Sequence, residues 1–365
     1  MIRILFVSLG ENMFGTEKFI YYLVKNLPKD KFEVHWGIPY KSKLSQTLEA
    51  YGIKYFDFRN GTLNGFKVRG LINIAKYIYK HKIDIVHSNS GILPCIVGKL
   101  MGVKKCYETR HGMFFSDEQL NNFKWPQKYH EKIKQYFVNF QIAIAENDKN
   151  RMIKYFGMNP EKIAIVYYGI DIDDVRKNGV KSGTKIISDN HKIEFLNVGR
   201  FTYQKSQVDL LKAVNLLQKE FKKFHLTIIG EGEEKDNLVN FVATNNLNDF
   251  VKIESYKENI HCEILKCDVL VMTSRYEGVP YVVSDSMALG VPVIHTDVGG
   301  VSNVICNNKD GLIVEPGNIV EIKNAMKRMA TDLELYKRIQ ENASRKIEEY
   351  SIQRMVNDYV KLYTM

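Results

Sequence analysis

Short runs of β-branched and aromatic residues alternate along the chain with stretches whose apolar positions recur every three to four residues, the spacing of a helix. The first series of runs is IRILFVSL (2–9), FEVHWGI (32–38), KYFDF (54–58), DIVHSN (84–89), KKCYETR (104–110), QIAIAE (141–146) and IAIVYYG (163–169). Between them the pattern predicts helices, for example TEKFIYYLVKNL (16–27), which Pro28 ends because its ring removes a backbone donor. Strands alternating with helices are the mark of crossover units that build a parallel sheet. Residues 178–190, NGVKSGTKIISDN, interrupt the pattern with Gly, Ser and Asn and read as a linker. The alternation then restarts, with strands at 194–199, 225–230, 251–255, 269–274, 292–297 and 311–314 and helices at 206–221, 233–245, 258–266, 281–289 and 318–330. From 332 to 365 the spacing is helical, with no strand signal. The expectation is an α/β chain with two parallel-sheet domains, residues 1–177 and 191–345, and a helical tail at 346–365 that packs back on the first.

Composition adds limits to this picture. At 365 residues, with 45% hydrophobic and 26% charged positions, the chain is globular in character and long enough for two cores. The start, MIRILFVSL, is apolar for only a few residues and runs into a polar loop, so it reads as a strand and not as a signal peptide. No apolar run approaches the ~20 residues of a membrane-spanning helix, and a cytoplasmic location is expected. Cys95, Cys106, Cys262, Cys267 and Cys306 are odd in number and scattered, which fits reduced, structural thiols. His261 and Cys262 near Cys267 invite a metal reading, but no fourth ligand lies nearby in the sequence.

Charge is unevenly placed. Residues 1–180 hold 28 Lys and Arg against 17 Asp and Glu, whereas residues 181–365 hold 24 against 25, so all of the net +10 lies in the first half. No nucleic-acid motif accompanies the excess, and nucleic acid is not expected as a partner. Segments 59–82 (RNGTLNGFKVRGLINIAKYIYKHK) and 123–137 (FKWPQKYHEKIKQYF) mix the positive charge with aromatic rings. Two readings fit them: an anionic membrane surface, with rings at the interface and cations near head groups, or core-packing helices with solvated basic faces.

In open parallel sheets, ligands bind beyond the carboxyl ends of the strands. After EFLNVG comes Arg200, and Lys205 follows at the start of a helix. A planar guanidinium and an ammonium beside a helix amino-terminus suit a diphosphate, including the charge that grows as a glycosyl bond breaks. The bland alternative is an exposed Arg and Lys on solvent. After VLVMTS comes Arg275-Tyr276-Glu277-Gly278-Val279-Pro280, then a helix carrying Asp285. Gly278 permits close backbone approach, Pro280 suits a first helical turn, and two carboxylates can accept from vicinal hydroxyls of a sugar or ribose. Here the competing reading is a helix cap plus a surface acid.

With Arg200 and Lys205, the run SRYEGVPYVVSDSMALGVPVIHTDVGG (274–300) resembles the donor-binding half of the retaining glycosyltransferases of family four. FGTE (14–17), DIVHSN (84–89), TRHG (109–112), YYGID (167–171) and GLIVEPGN (311–318) extend the resemblance over nearly the whole chain. The resemblance implies the GT-B architecture: two Rossmann-like domains whose parallel sheets face each other across a cleft, the first binding the acceptor and the second a UDP- or GDP-sugar. It implies that Arg200, Lys205 and Gly15 hold the donor diphosphate, and that Glu277 and the amides of Gly278, Val279, Pro280 and Tyr281 hold the donor sugar. Asp285 would hold the ribose, and His111 would lie near the bond that breaks. A histidine after a strand is also a common structural side chain.

The family is metal-independent and needs no cofactor. Its acceptors are saccharides or lipid-linked saccharides, as in capsule, exopolysaccharide or lipopolysaccharide synthesis, which would bring the protein to the inner membrane face. Two positions depart from the family pattern: Asp285 where Glu is usual, and Phe14 in place of a first-loop glycine. A nucleotide-sugar epimerase, or a non-catalytic sugar-nucleotide-binding partner of another transferase, would share the architecture.

Two further motifs invite other chemistry. Asp171-Ile172-Asp173-Asp174 resembles a metal-binding Asp-x-Asp, yet acids that start a helix are the simpler explanation. Gly230-Glu231-Gly232 opens like a dinucleotide fingerprint but lacks its third glycine and carries acids that repel a pyrophosphate.

Overall fold

The structure, a computed structural model, describes residues 1–10, 15–58, 68–112, 115, 117–179 and 191–365. It divides into two compact units, Met1–Gly169 with Ile352–Met365, and Ile170–Ser351.

The first unit holds strands β1 (Ile2–Val7), β2 (Phe32–Ile38), β3 (Lys54–Asp57), β4 (Ile85–Ser88), β5 (Lys105–Arg110), β6 (Phe140–Ala143) and β7 (Ile163–Ile165). They form one sheet in the order β3-β2-β1-β4-β5-β6-β7, with every pair parallel. The second unit holds β8 (Ile193–Val198), β9 (Phe224–Ile229), β10 (Val251–Glu254), β11 (Val269–Met272), β12 (Val293–Thr296) and β13 (Leu312–Val314), parallel in the order β10-β9-β8-β11-β12-β13. Each unit is thus Rossmann-like, and each sheet reverses its winding once, between β1 and β4 and between β8 and β11. Loops leaving the carboxyl ends of strands at such a reversal diverge to opposite faces and open a crevice.

Both faces of each sheet are covered, which is why the strands read as near-continuous apolar runs. Phe195, Leu226, Ile228 and Val271 pack under Leu210, Leu211 and Val214 of helix Gln207–Leu217 and Met326 of helix Ile319–Thr331. Leu5, Val7 and Val86 pack under Ile74 and Ile78 of helix Val68–His81.

The units divide at 169/170 rather than at the polar stretch 178–190. Helix Ile172–Gly179 packs on helices Ile260–Lys266 and Tyr281–Ala288 of the second unit, and Ile170 bridges Ser351, so 170–177 and 346–351 both belong there. Local polarity marked a break in the pattern, whereas packing decides the boundary. Residues 180–190 lie outside the described residues.

Helix Ile352–Thr364 belongs to the first unit, where it buries Met355, Val356, Tyr359, Leu362 and Tyr363. Polar contacts fix its register: the Tyr107 hydroxyl donates to the Leu362 carbonyl at 2.6 Å and Lys105 Nζ to the Tyr363 carbonyl at 2.9 Å. His87, fully buried, lies 2.5 Å from the Tyr363 hydroxyl and 2.7 Å from Thr109 Oγ1. Among the described residues, no helix is long and apolar enough to cross a membrane.

Candidate active site

The loops after β8 and β11, at the second reversal, carry most of the expected residues. Several hydrogen bonds join them. Arg275 N–H donates to the Gln204 carbonyl at 2.8 Å, the Gln204 amide to the Tyr276 carbonyl at 2.9 Å, and the Thr273 hydroxyl to the Ser206 carbonyl at 3.1 Å. Ser206 sits at φ +50, a conformation costly for a residue with a side chain, and caps helix Gln207–Leu217. Its hydroxyl donates to Asp209 at 2.6 Å, and Arg275 reaches the same carboxylate at 2.8 Å. Lys205, one residue before that cap, is therefore held by a stitched backbone.

The structure brings Lys205 and Glu277 together as an ion pair. Glu277 is 8% exposed, and its second oxygen accepts from the Ser274 hydroxyl at 2.6 Å. Burial, with the Arg200 guanidinium adding to it, pushes the Lys205 ammonium down from its usual range to about 7. At neutral pH the ammonium therefore stands close to its titration point. Arg200 is exposed beside this pair.

Pro280 lies at the cap of helix Tyr281–Ala288 with ψ 137, one position before the first turn in which the sequence placed it. Gly299 explains the close fit of this loop. At φ +57 it lies so near that a Cβ there would come within 1.7 Å of the Glu277 carbonyl oxygen. Asp285, 2% exposed, has one oxygen 3.3 Å from His261 Nε2. His261, considered above as a metal ligand, is the neighbour of the expected ribose acid.

Sequence reasoning missed His295, which is fully buried on β12. Its Nδ1 donates to the Thr296 carbonyl at 2.7 Å, and its Nε2 lies 3.8 Å from Glu277. Burial pushes it down to about 4, so it is a neutral neighbour of the charged pair. A polar residue in the middle of the apolar run PVIHTD was the available signal.

In the first unit, Gly15 begins helix Gly15–Asn26 at φ +34; Phe14 lies outside the described residues. Glu17, in the first turn, is buried, and its carboxyl hydrogen-bonds Ser8 and the backbone of Gly10 after β1. Burial raises it to about 7, so below neutrality this helix start holds an uncharged acid. His111 follows β5 directly, and both its nitrogens are engaged: Nδ1 lies 2.6 Å from the Tyr168 hydroxyl and Nε2 3.0 Å from Asn89 Oδ1. Desolvation pushes the imidazole down to about 3. Asn89 and Tyr168 sat inside the runs DIVHSN and YYGID, but neither was singled out.

The structure also resolves the two decoy motifs. Asp171 Oδ1 accepts the Asp174 N–H at 3.1 Å and starts helix Ile172–Gly179. Gly230 and Gly232 pack on the neighbouring loop: a Cβ on either would come within 1.9 Å of the Gly199 carbonyl or 2.3 Å of the Phe201 carbonyl. The first basic segment is mixed, with Ile72 and Tyr79 exposed while other side chains turn inward. Tyr77 packs inward, stacked on Phe56 and hydrogen-bonded to His35. Helix Trp125–Ile133 buries none of its residues, and Trp125 and Tyr129 stack on each other in solvent. Residues 59–67, with Phe66, lie outside the described residues.

Two family patterns match the chain: "Glycosyltransferase Family 4" over residues 14–174 and "Glycosyl transferases group 1" over residues 184–346. The UDP-Gal:alpha-D-GlcNAc-diphosphoundecaprenol alpha-1,3-galactosyltransferase of Escherichia coli is 25% identical over 345 residues, covering 91% of this chain and 88% of that protein. The N-acetyl-alpha-D-glucosaminyl L-malate synthase of Bacillus anthracis is 22% identical, covering 97% and 93%. Among solved structures, a glycosyltransferase of Rickettsia africae superposes with a TM-score of 0.82 at 20% identity, over 99% of this chain and 97% of that one. Anabaena HepE in complex with UDP and glucose gives 0.80 at 18% identity, over the full length of both.

Proposed function

The chain belongs to glycosyltransferase family 4, the group 1 transferases of GT-B architecture, and on that premise we propose that it moves a hexose-type sugar, with retention, from a UDP- or GDP-sugar to a saccharide or lipid-linked acceptor. The observation that carries this reading is the Lys205–Glu277 pair where β8 and β11 diverge. A buried ammonium touching a buried carboxylate is a site whose two charges have complementary ligand groups: phosphate for the first, sugar hydroxyls for the second. Arg200 adds the second cation. Together the two cations neutralise the diphosphate that leaves, the work a divalent cation does in other transferases, and the reaction is proposed to need no metal. Glu277 with the Gly278–Tyr281 segment holds the sugar, Asp285 the ribose and Gly15 the diphosphate, and His111 acts near the bond that breaks.

Retention without a protein nucleophile follows if a donor phosphate oxygen takes the acceptor proton on the face from which the nucleotide departs. The protein then supplies positioning and charge stabilisation. The Escherichia coli relative's name specifies a UDP-sugar and an undecaprenyl-diphosphate-linked acceptor, which favours a lipid-linked acceptor in surface polysaccharide synthesis. A peripheral position at the inner membrane face fits that acceptor, with the exposed Trp125 and Tyr129 among lysines 124, 128 and 132 as the contact.

The test is release of UDP or GDP from a panel of sugar donors, with and without a membrane extract and with EDTA present. Acceptor-dependent release that alanine at 200, 205 and 277 abolishes supports the proposal; interconversion of the donor without acceptor would point to an epimerase. Flotation with anionic against neutral liposomes checks the membrane contact.

A further inference from the structure

His111 is held from two sides, and the chemistry of its holders fixes where its proton lies. An amide oxygen only accepts, so the contact of His111 Nε2 with Asn89 Oδ1 at 3.0 Å puts hydrogen on Nε2. A neutral imidazole carries one N–H, so Nδ1 is the acceptor, and the Tyr168 hydroxyl at 2.6 Å donates to it. Tyr168 keeps its hydroxyl hydrogen, because burial pushes its phenol well above the usual range.

The holders are themselves fixed. Asn89 is 5% exposed, and its backbone N–H donates to the Val7 carbonyl of β1 at 2.9 Å. Phe19 packs edge-on against the His111 ring at a centroid distance of 5.0 Å and lies 5.2 Å from the Tyr168 ring. The three side chains come from the ends of β4 and β5 and from the segment after β7, so the sheet itself sets their spacing.

We infer that Asn89 and Tyr168 are positioning residues that lock His111 as the neutral imidazole with its proton on Nε2 and engage both ring nitrogens, so that His111 serves sugar transfer as a fixed, uncharged ring and not as a base. The inference rests on the role proposed above for His111. The two neighbours act differently, since Tyr168 occupies the lone pair that a base would use, whereas Asn89 takes the N–H. Among the described residues Asn89 Nδ2 has no hydrogen-bond partner, which leaves a donor beside the ring for a ligand oxygen.

Imidazole nitrogen NMR on the full chain labelled with ¹⁵N-histidine tests it, with the His111 signals identified by their loss in His111→Ala. The wild type is expected to show a neutral ring protonated on Nε2 at pH 7, and Tyr168→Phe, which keeps the ring and its packing, a mixture of tautomers. With UDP-glucose and UDP-galactose as donors, Tyr168→Phe and Asn89→Leu are expected to lower kcat on the order of 10-fold while donor KM stays within about 2-fold, the signature of misaligned chemistry with intact binding. Thermal unfolding of each variant separates this from loss of fold. A wild-type His111 protonated on Nδ1, or charged at pH 7, overturns the inference, as does unchanged kcat in both folded variants. If His111→Ala itself retains full turnover, the role proposed for His111 fails. If it abolishes turnover while the two neighbours leave kcat intact, only the positioning fails.

Discussion

The two units each place a polar centre at the carboxyl edge of a parallel sheet, but the first centre is neutral and the second charged. In the first, His111, Asn89 and Tyr168 satisfy one another as uncharged donors and acceptors, and Glu17 nearby in sequence to Gly15 stays protonated to about 7. In the second, Lys205 and Glu277 meet as ions, with the neutral His295 beside them. The difference matters for how each can work. A neutral centre holds its geometry whatever ligand charge arrives, whereas an ion pair must be opened before its members can turn to the phosphate and sugar proposed as their ligands. The charged centre is thus the one whose partners are most costly to remove singly.

Removing one ion is the largest perturbation. Lys205→Ala or Glu277→Ala leaves the other charge buried and is expected to cost about 3–5 kcal/mol of stability, read by denaturant unfolding, and on the order of 10²-fold in kcat. The double variant is expected to be less destabilised than the two single losses summed. Additive losses would show that the ions do not depend on each other, and the contrast between the units would weaken.

Next comes Gly299→Ala. With φ +57 and the Glu277 carbonyl 1.7 Å from where a Cβ would lie, the loop must shift, at a cost of about 1–3 kcal/mol. Donor affinity, measured by titration with UDP, is expected to fall in parallel. An unshifted loop with wild-type affinity would mean that the fit at 299 does not position Glu277.

pH probes the neutral centre, and its groups act with opposite signs. Glu17 ionises near 4.5 when unfolded but near 7 when folded, so between those values the folded chain holds the extra proton and stability falls as pH rises. Glu17→Gln is therefore expected to stabilise by on the order of 2 kcal/mol at pH 8 and to change little at pH 4.5. His87 and His111, held near 3 against an ordinary 6.5, work the other way: the unfolded chain binds the extra protons, and stability falls on acidification from 6.5 toward 3. Thermal scans from pH 8 to 4 of wild type and Glu17→Gln separate the two. A Glu17→Gln gain that is the same at both ends of the range would show that its carboxyl is not held neutral.

The smallest expected effect is at the surface. Trp125 is 73% exposed, so Trp125→Ala is expected to change stability by less than about 0.5 kcal/mol while reducing flotation with anionic liposomes.

Local periodicity determined most of the architecture. Strand runs such as 32–38 and helices such as 318–330 are recognisable because a strand buried on both faces and a helix buried on one each impose their own spacing on neighbouring residues. The candidate residues Arg200 and Glu277 stood out for the same reason, since they closely follow such runs, and Lys205 and Asp285 because they lie just before and within the helices that come next. What the sequence could not determine was who meets whom. Lys205 and Glu277 are 72 positions apart, His111 and Tyr168 57, His261 and Asp285 24. Those meetings depend on the order of strands in the sheet and on where each crossover reverses, and nothing in the spacing of one element encodes its neighbours. The unit boundary at 169/170 escaped for a related reason: it is set by which sheet a helix covers, and a polar stretch marks only a change of local pattern.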